Sequence, residues 1–276
     1  GATNWITVGG VSVQPSEIVK VLFIIVGSAS MEELFEKKNL TLFMVFAGIC
    51  LGSLALMSDF GTALVFYTTF LVMSFLRSGD FARVALILGI SIAGGLLILK
   101  FKSSVASRFA SWGHAWDYAD TSGWQQTRAL TAVGSGGLSG VGAGKGWFSK
   151  LFAADTDLVF GVIGEEWGLI MGVLCVLIIM SFGFFAYKTI QEGRSTFYTI
   201  GACGAITVLV LQTILNVFGS LDILPFTGVT FPFVSTGGTS MIASWGLIAF
   251  LKASDTRDGA SFAAFIPKRW KKEVRA

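Results

Sequence analysis

A single histidine and three cysteines in 276 residues are too few to build a zinc cluster from imidazole and thiolate ligands. Cys50, Cys175 and Cys203 all lie inside apolar runs, where a thiol behaves as a small hydrophobe, so they carry no message about redox compartment. Charge is scarce too. Asp, Glu, Lys and Arg make up 13% of the chain, and residues 39–58, 60–76, 84–99, 167–187, 195–221 and 223–251 contain none of them. Also missing from those runs is alternation. Strands of a membrane barrel alternate in polarity over about 10 residues, and nothing here does so, which excludes a barrel. Backbone groups find no water in lipid, so the spanning segments must be helices. A helix needs about 20 apolar residues to cross about 30 Å of hydrocarbon, and the runs are suited to that task.

The fold class is therefore an all-α polytopic membrane protein, a bundle of about seven transmembrane helices in one integral membrane domain over residues 1–276. Spans are expected near 15–34, 40–57, 61–77, 81–99, 158–187, 197–217 and 234–252. Pro225, Pro232, Gly228, Gly237 and Gly238 make the first half of the last run irregular. An odd number of spans in a chain opening on Gly1 predicts that further helices precede it. Basic residues favour cytoplasmic loops. Lys37, Lys38, Arg77, Arg83, Lys188, Arg194 and seven more beyond Leu251 fall on one side, while loops 58–60 and 218–233 hold none. The first set is read as cytoplasmic, which places residues 100–157 outside as one long extracytoplasmic loop. That loop carries six Lys/Arg, but long loops obey the bias poorly. The tail, residues 253–276, is cytoplasmic. Its cluster Lys268-Arg269-Trp270-Lys271-Lys272 suits an anionic inner leaflet, so membrane lipid, not nucleic acid, is the partner it points to.

Several residues stand where a plain anchor would not keep them. Glu17 and Lys20, three apart and just after Pro15, share a helix face. They either neutralise each other near the outer surface or line a polar cavity that a ligand uses. The glycine-rich stretch Ser135–Gly146 fails the P-loop pattern at Ser139 and Gly146. It is either a turned or flexible loop, or a wrap of backbone N–H groups around an anion, with Lys145 and Lys150 adding charge. Asp157 arrives as the chain re-enters lipid, followed by Glu165 and Glu166. At 3.6 residues per turn, Asp157 and Glu165 are offset by roughly 80° and could border one cavity from different heights. Asp155 or Asp157 could equally be a helix N-cap. A carboxylate beside lipid has a raised pKa, which suits a general base. His114 reads as a surface residue, Gly48-x-x-x-Gly52 and Gly168-x-x-x-Gly172 as close-packing positions, and Gln212 and Asn216 as partners across helices.

Taken in order, these residues resemble one family closely, the shape, elongation, division and sporulation proteins of the FtsW/RodA/SpoVE group. The matching elements begin with Gly1-Ala2-x-x-Trp5, Gly9, Gln14-Pro15-Ser16-Glu17-x-x-Lys20 and Asp59-Phe60-Gly61-Thr62-Ala63. Trp124-Gln125, Ala132–Gly137 and Gly140-x-Gly142-x-Gly144 follow, then Thr156-Asp157 and Gly164-Glu165-Glu166-x-Gly168. The series closes on Gln212, Asn216, Pro225-x-Thr227-Gly228, Pro232-Phe233-x-Ser235-x-Gly237-Gly238 and Ser240. Asn4, Arg128 and Thr236 depart from the commoner family residues.

The resemblance implies a ten-helix fold, of which this chain would supply the last seven. It implies peptidoglycan polymerisation from lipid II on the outer face of the bacterial cytoplasmic membrane, beside a class B penicillin-binding protein. The family's essential aspartate matches Asp157, expected to be the catalytic base, and its cavity-lining pair matches Glu17 and Lys20. Gln125, Lys145, Glu165, Glu166 and Ser235 are expected to contact substrate. Leaving-group charge would fall to Lys145, Lys150, Arg108 or a divalent cation (Mg or Mn), the one candidate cofactor. The alternatives are a lipid II flippase working through Glu17 and Lys20, and a non-enzymatic scaffold for the penicillin-binding protein.

Overall fold

The structure is a computed structural model that describes residues 5–8, 11–31, 37–79, 81–191 and 195–255. Gly1, Ala2, Asn4, Gly9, Arg194 and the basic cluster at 268–272 lie outside the described residues. The chain opens with an antiparallel hairpin, β1 (Ile6–Val8) and β2 (Val11–Val13), with Ile6 opposite Val13. Ten α-helices follow among the described residues: α1 (Pro15–Ser30), α2 (Lys37–Leu56), α3 (Phe60–Ser78), α4 (Phe81–Phe101), α5 (Ser103–Ser111), α6 (Trp124–Gly136), α7 (Val159–Glu166), α8 (Gly168–Gln191), α9 (Thr196–Ser220) and α10 (Gly238–Ala253). By length and composition α3, α8 and α9 could each cross a membrane. The chain is a multi-pass membrane protein.

Local chemistry sets the helix ends. Pro15 opens α1, where its missing N–H is no loss. Asp59 caps α3, accepting the Thr62 N–H at 3.1 Å. Gly79, at φ 59°, closes α3 by donating its N–H to the Phe75 carbonyl. Helix α9 forms the axis of the bundle, packing against α1, α3, α8 and α10. Its Ala205, Val208 and Leu209 are buried in that core, and Ile24, Val65, Phe160, Phe231 and Leu247 pack in from neighbouring elements. Much of α8, by contrast, points outward as Leu174, Leu177, Ile178 and Phe184, which is what lipid as solvent permits.

One expected span does not exist as a single helix. The stretch 158–187 is broken between Glu166 and Gly168 into α7 and α8. Gly168 adopts φ +83°, and a Cβ there would lie 2.3 Å from the Leu138 carbonyl oxygen. The glycine-rich loop occupies the break. Leu169 and Ile170 donate N–H groups to the Gly137 and Leu138 carbonyls at 2.9 and 3.3 Å. Val141 and Gly142 return N–H groups to the Glu165 and Glu166 carbonyls at 2.9 and 3.0 Å. Groups orphaned at the two helix ends are thus paired by the loop, which is docked rather than free.

The long loop is folded as well. Besides α5 and α6 it holds 3₁₀ turns at Ala115–Tyr118 and Phe148–Lys150. The close-packing reading of Gly48 and Gly52 is corrected: nothing among the described residues comes within 4 Å of a Cβ at either position. Gly172 does sit tight, but against the Phe160 ring at 2.9 Å.

Gly168→Ala is expected to lower the thermal stability of the detergent-solubilised protein, by about 1–3 kcal/mol from the backbone conformation alone and further from the carbonyl clash. Gly48→Ala should stay within about 0.5 kcal/mol of the parent. Thermal denaturation of the two variants side by side would check both.

Candidate functional site

Asp157 lies in the turn that delivers the long loop to α7. The N-cap position of α7 is Leu158, and no side chain caps that helix, so neither Asp155 nor Asp157 serves as the cap that its composition allowed. The turn is built on Ala153, a non-glycine residue at φ 59°, whose carbonyl accepts the Asp157 N–H at 3.0 Å. Strained backbone of this kind persists only where its surroundings over-determine it, and here they do. Asn216, buried on α9, uses both amide hydrogens, one to the Asp157 carbonyl at 2.9 Å and one to the Val229 carbonyl at 2.8 Å. Ser235 donates its hydroxyl to the Thr156 carbonyl and accepts the Phe231 N–H at 2.8 Å. Thr236 reaches the Asp155 carboxylate at 2.7 Å.

The Asp157 side chain lies over Gly228, which has φ +69°; a Cβ there would be 3.3 Å from Oδ2. On the same segment, the Phe226 and Thr227 carbonyls accept long hydrogen bonds from Arg108, 3.4 and 3.3 Å, and the guanidinium stands 5.9 Å from the Phe226 ring centroid. The start of α3 abuts that segment too, since a Cβ on Gly61 would meet Val229 and the Thr227 carbonyl within 2.7 Å. Asp59 therefore belongs to the site. Burial raises the Asp157 pKa to about 6. A Thr156 side-chain hydrogen bond and the Arg108 charge oppose the rise, while the Asp59 and Asp155 charges reinforce it.

The other expected residues divide. Glu17 and Lys20 do meet, with Nζ and Oε2 2.7 Å apart and both residues 3% exposed. The ammonium approaches off the hydrogen-bonding direction, so Oε2 has an ionic contact without an aligned hydrogen bond. Their helix packs on α9 and α10, which bring buried Gln212, Thr213, Ser240 and Ser244 into the same bundle. Gln212 reaches the Thr230 hydroxyl, so it and Asn216 bond to the 229–230 segment and not across to a second helix. Gln125 is half-buried on the first turn of α6, and Lys145 is exposed, its stem folded over Gly142.

Glu165 and Glu166 are both engaged by the chain's own backbone. Glu165 is 1% exposed and its two oxygens accept the Trp147 and Phe148 N–H groups at 3.1 and 3.0 Å. Glu166 accepts the Gly144 N–H at 2.8 Å and contacts the Ser149 hydroxyl at 3.5 Å. From the glycine-rich stretch Gly144 donates to the Glu166 carboxylate, and Trp147 and Phe148 just beyond it donate to that of Glu165. Ser235 is likewise engaged with backbone. Two apolar cavities, about 240 and 270 Å³, lie between α1, α2 and the hairpin and between α8 and α10; neither is lined by Asp157, Glu17 or Lys20. Proximity of Arg108 and Asp59 to Asp157 was not readable from spacing, since 49 and 98 positions separate them from it (157 − 108 and 157 − 59).

A helical membrane bundle with a half-buried carboxylate of raised pKa at the loop–helix junction defines the class: a multi-pass protein with a polar site at the end of its bundle. Its family follows from comparison. The FtsW/RodA/SpoVE family of cell cycle proteins matches residues 1–258, and the chain belongs to that family. It is 30% identical over 268 residues to the peptidoglycan glycosyltransferase RodA of Mycobacterium tuberculosis, covering 91% of this chain and 57% of that one. It is 34% identical over 258 residues to the probable peptidoglycan glycosyltransferase FtsW of Coxiella burnetii, covering 88% and 68%. The chain thus spans little more than half of its mycobacterial relative. Among solved structures, one described as a peptidoglycan synthase complex coordinating polymerization and crosslinking matches with TM-score 0.69 at 22% identity, covering 94% of this chain and 75% of that one. The rod shape determining protein RodA of Thermus thermophilus matches with TM-score 0.58 at 24% identity, covering 94% and 71%. These two share the fold.

Asn216→Ala removes the donor from one buried and one partly buried carbonyl and is expected to cost about 1–3 kcal/mol. Asp157→Asn should have the opposite sign. With its folded pKa raised from 3.8 to about 6, Asp157 favours folding when protonated, and that advantage is lost as pH climbs through this window. At pH 7–8 the Asn variant should melt no lower than the parent, and near pH 4 the difference should shrink; melting curves across pH measure both.

Proposed function

We propose that this chain forms the catalytic portion of a peptidoglycan glycosyltransferase that polymerises lipid II. The observation that carries the reading is the Asp157 carboxylate, half-buried, with its pKa raised to about 6, on a turn whose backbone is held by Asn216 and Ser235. An ordinary aspartate is a weak base at pH 7. Raised to about 6, Asp157 is still mostly ionised there and holds a proton more firmly, as a general base needs.

In the proposed step the 4-hydroxyl of a terminal GlcNAc loses its proton to Asp157 as its oxygen bonds to the anomeric carbon of MurNAc on the growing chain. The bond from that carbon to pyrophosphate breaks, and undecaprenyl pyrophosphate leaves with the bonding pair. The α-linked donor becomes a β-linked product in one displacement, and Asp157 releases its proton to solvent. Arg108 is the cation best placed to meet charge on the pyrophosphate, because it shares the 226–228 segment with Asp157 whereas Lys145 belongs to the docked loop. Its bonds to carbonyls are long and engage one of its nitrogens, leaving other N–H groups for an oxyanion. No group of three His, Cys, Asp or Glu side chains is gathered as a metal cage among the described residues. A Mg²⁺ or Mn²⁺ ion would be held chiefly by the pyrophosphate oxygens, where it would neutralise leaving-group charge.

The site faces outward from the bacterial cytoplasmic membrane in this reading, supported by the bias of Lys and Arg toward the opposite loops. A class B penicillin-binding protein is the proposed partner, supported by the likeness to a chain of a peptidoglycan synthase complex.

Gel analysis of labelled lipid II incubated with the full-length protein and its partner tests the reading. Asp157→Asn and Asp157→Ala should cut glycan synthesis at least about 10²-fold with lipid II binding retained; strands of normal yield would reject the assignment. The parent's rate should rise with pH, reach half its plateau near pH 6 and level off above, because the ionised form is the active one. Arg108→Ala should lower the rate and move that midpoint upward, because the Arg108 charge opposes the rise in the Asp157 pKa.

A further inference from the structure

We infer that Glu165 is a positioning residue for the Asp157 turn, acting through the backbone of residues 144–150 and the side chain of Phe148. The inference rests on the reading of Asp157 as the base. Glu165 makes no approach to substrate, because it is 1% exposed and both its oxygens are taken by the Trp147 and Phe148 N–H groups at 3.1 and 3.0 Å. Those N–H groups open the 3₁₀ turn Phe148–Lys150, so one carboxylate fixes where that turn begins. A buried carboxylate is costly unless hydrogen-bonded; here the turn supplies the bonds and is held in return.

The turn in turn sets Phe148. Its ring is fully buried and lies against Gly161 of α7, where an added Cβ would be 2.6 Å away. Phe148 belongs to a small cluster with Ala129, Ala132, Ala154, Leu158 and Phe226. Ala154 and Leu158 flank Asp157 on either side in sequence, and the Phe226 carbonyl is one of the two that hold Arg108. Moving the turn therefore displaces the base and the cation's anchor through one packed ring. Interiors transmit such shifts because they are close-packed, and a misplacement of about 1 Å at a reacting group can cost about 10²-fold in rate.

Two substitutions reach this contact from opposite sides. Glu165→Gln replaces one acceptor oxygen with an amide nitrogen that cannot accept, stranding the Trp147 or Phe148 N–H. Gly146→Ala leaves the carboxylate chemically intact but puts a Cβ 2.5 Å from Glu165 Oε2 and 2.9 Å from Glu166 Cγ, in a backbone conformation that alanine tolerates. Measured on the full-length protein with its partner, each should lower kcat about 10–100-fold with KM for lipid II within about twofold. Each should also speed hydrogen exchange at the Trp147 and Phe148 amides. The double variant should be no worse than the poorer single by more than about threefold, since both break one contact.

Parental kcat in both variants would overturn the inference, as would a rise in KM with kcat unchanged, which would make Glu165 a substrate contact. If Glu165→Gln does not fold, Gly146→Ala carries the test, and failure of both to fold would assign Glu165 to stability alone. Asp157→Asn, assayed alongside, separates the two claims: glycan synthesis by that variant would defeat the reading of the base, whatever the amides at 147 and 148 do.

Discussion

A helix that stops in or beside lipid must hand its terminal backbone groups to something other than water, and that demand organises the functional end of this molecule. Between Glu166 and Gly168 the chain breaks a helix that would otherwise run unbroken from Val159 to Gln191. Carbonyls at the end of α7 and N–H groups at the start of α8 are then taken by residues 137–142 of the preceding loop. Unpaired, such groups cost several kcal/mol each in an apolar medium. The loop is therefore part of the bundle's own hydrogen-bonding scheme, and its position is as firm as that of the helices it completes.

Firmness there is inherited by the acidic turn. The same loop carries the 3₁₀ turn that Glu165 holds, and Phe148 from that turn packs under the flanks of Asp157. From the opposite side, Asn216 ties the Asp157 backbone to the 229 segment. The turn that carries the carboxylate is thus clamped by elements distant in sequence while the side chain stays half-buried. Burial and the Asp59 and Asp155 charges raise its proton affinity, and Arg108 keeps the rise moderate. In the function proposed above, a group of that kind suits a substrate whose sugar is in water and whose tail is in lipid.

Much of the architecture was legible because lipid imposes a length and a composition on whatever crosses it. The uncharged runs announced helices, and the break at Pro225–Gly238 announced itself through its own residues. Gly168 did not. A single glycine amid apolar residues reads as a packing position, and only the approach of Leu138 and Gly140 explains why it must be glycine. Gly48 and Gly52 show the reverse, a small-residue pattern that meets no partner among the described residues. Glu165 and Glu166 were conspicuous for the right reason, since carboxylates at that depth need partners. Their partners turned out to be amides of the chain itself.

Residue order by itself determined the membrane class, the approximate helices, the family, and the candidacy of Asp157, because hydropathy and ordered motifs are local properties carried along the chain. Tertiary structure decided which side chains act together. Arg108, Asp59, Asn216 and Gly228 reach Asp157 only through packing of α3, α5 and α9 against the 226–229 segment. Whether a buried carboxylate faces substrate or its own backbone depends on which N–H groups arrive beside it, and that is a matter of folding, not of spacing.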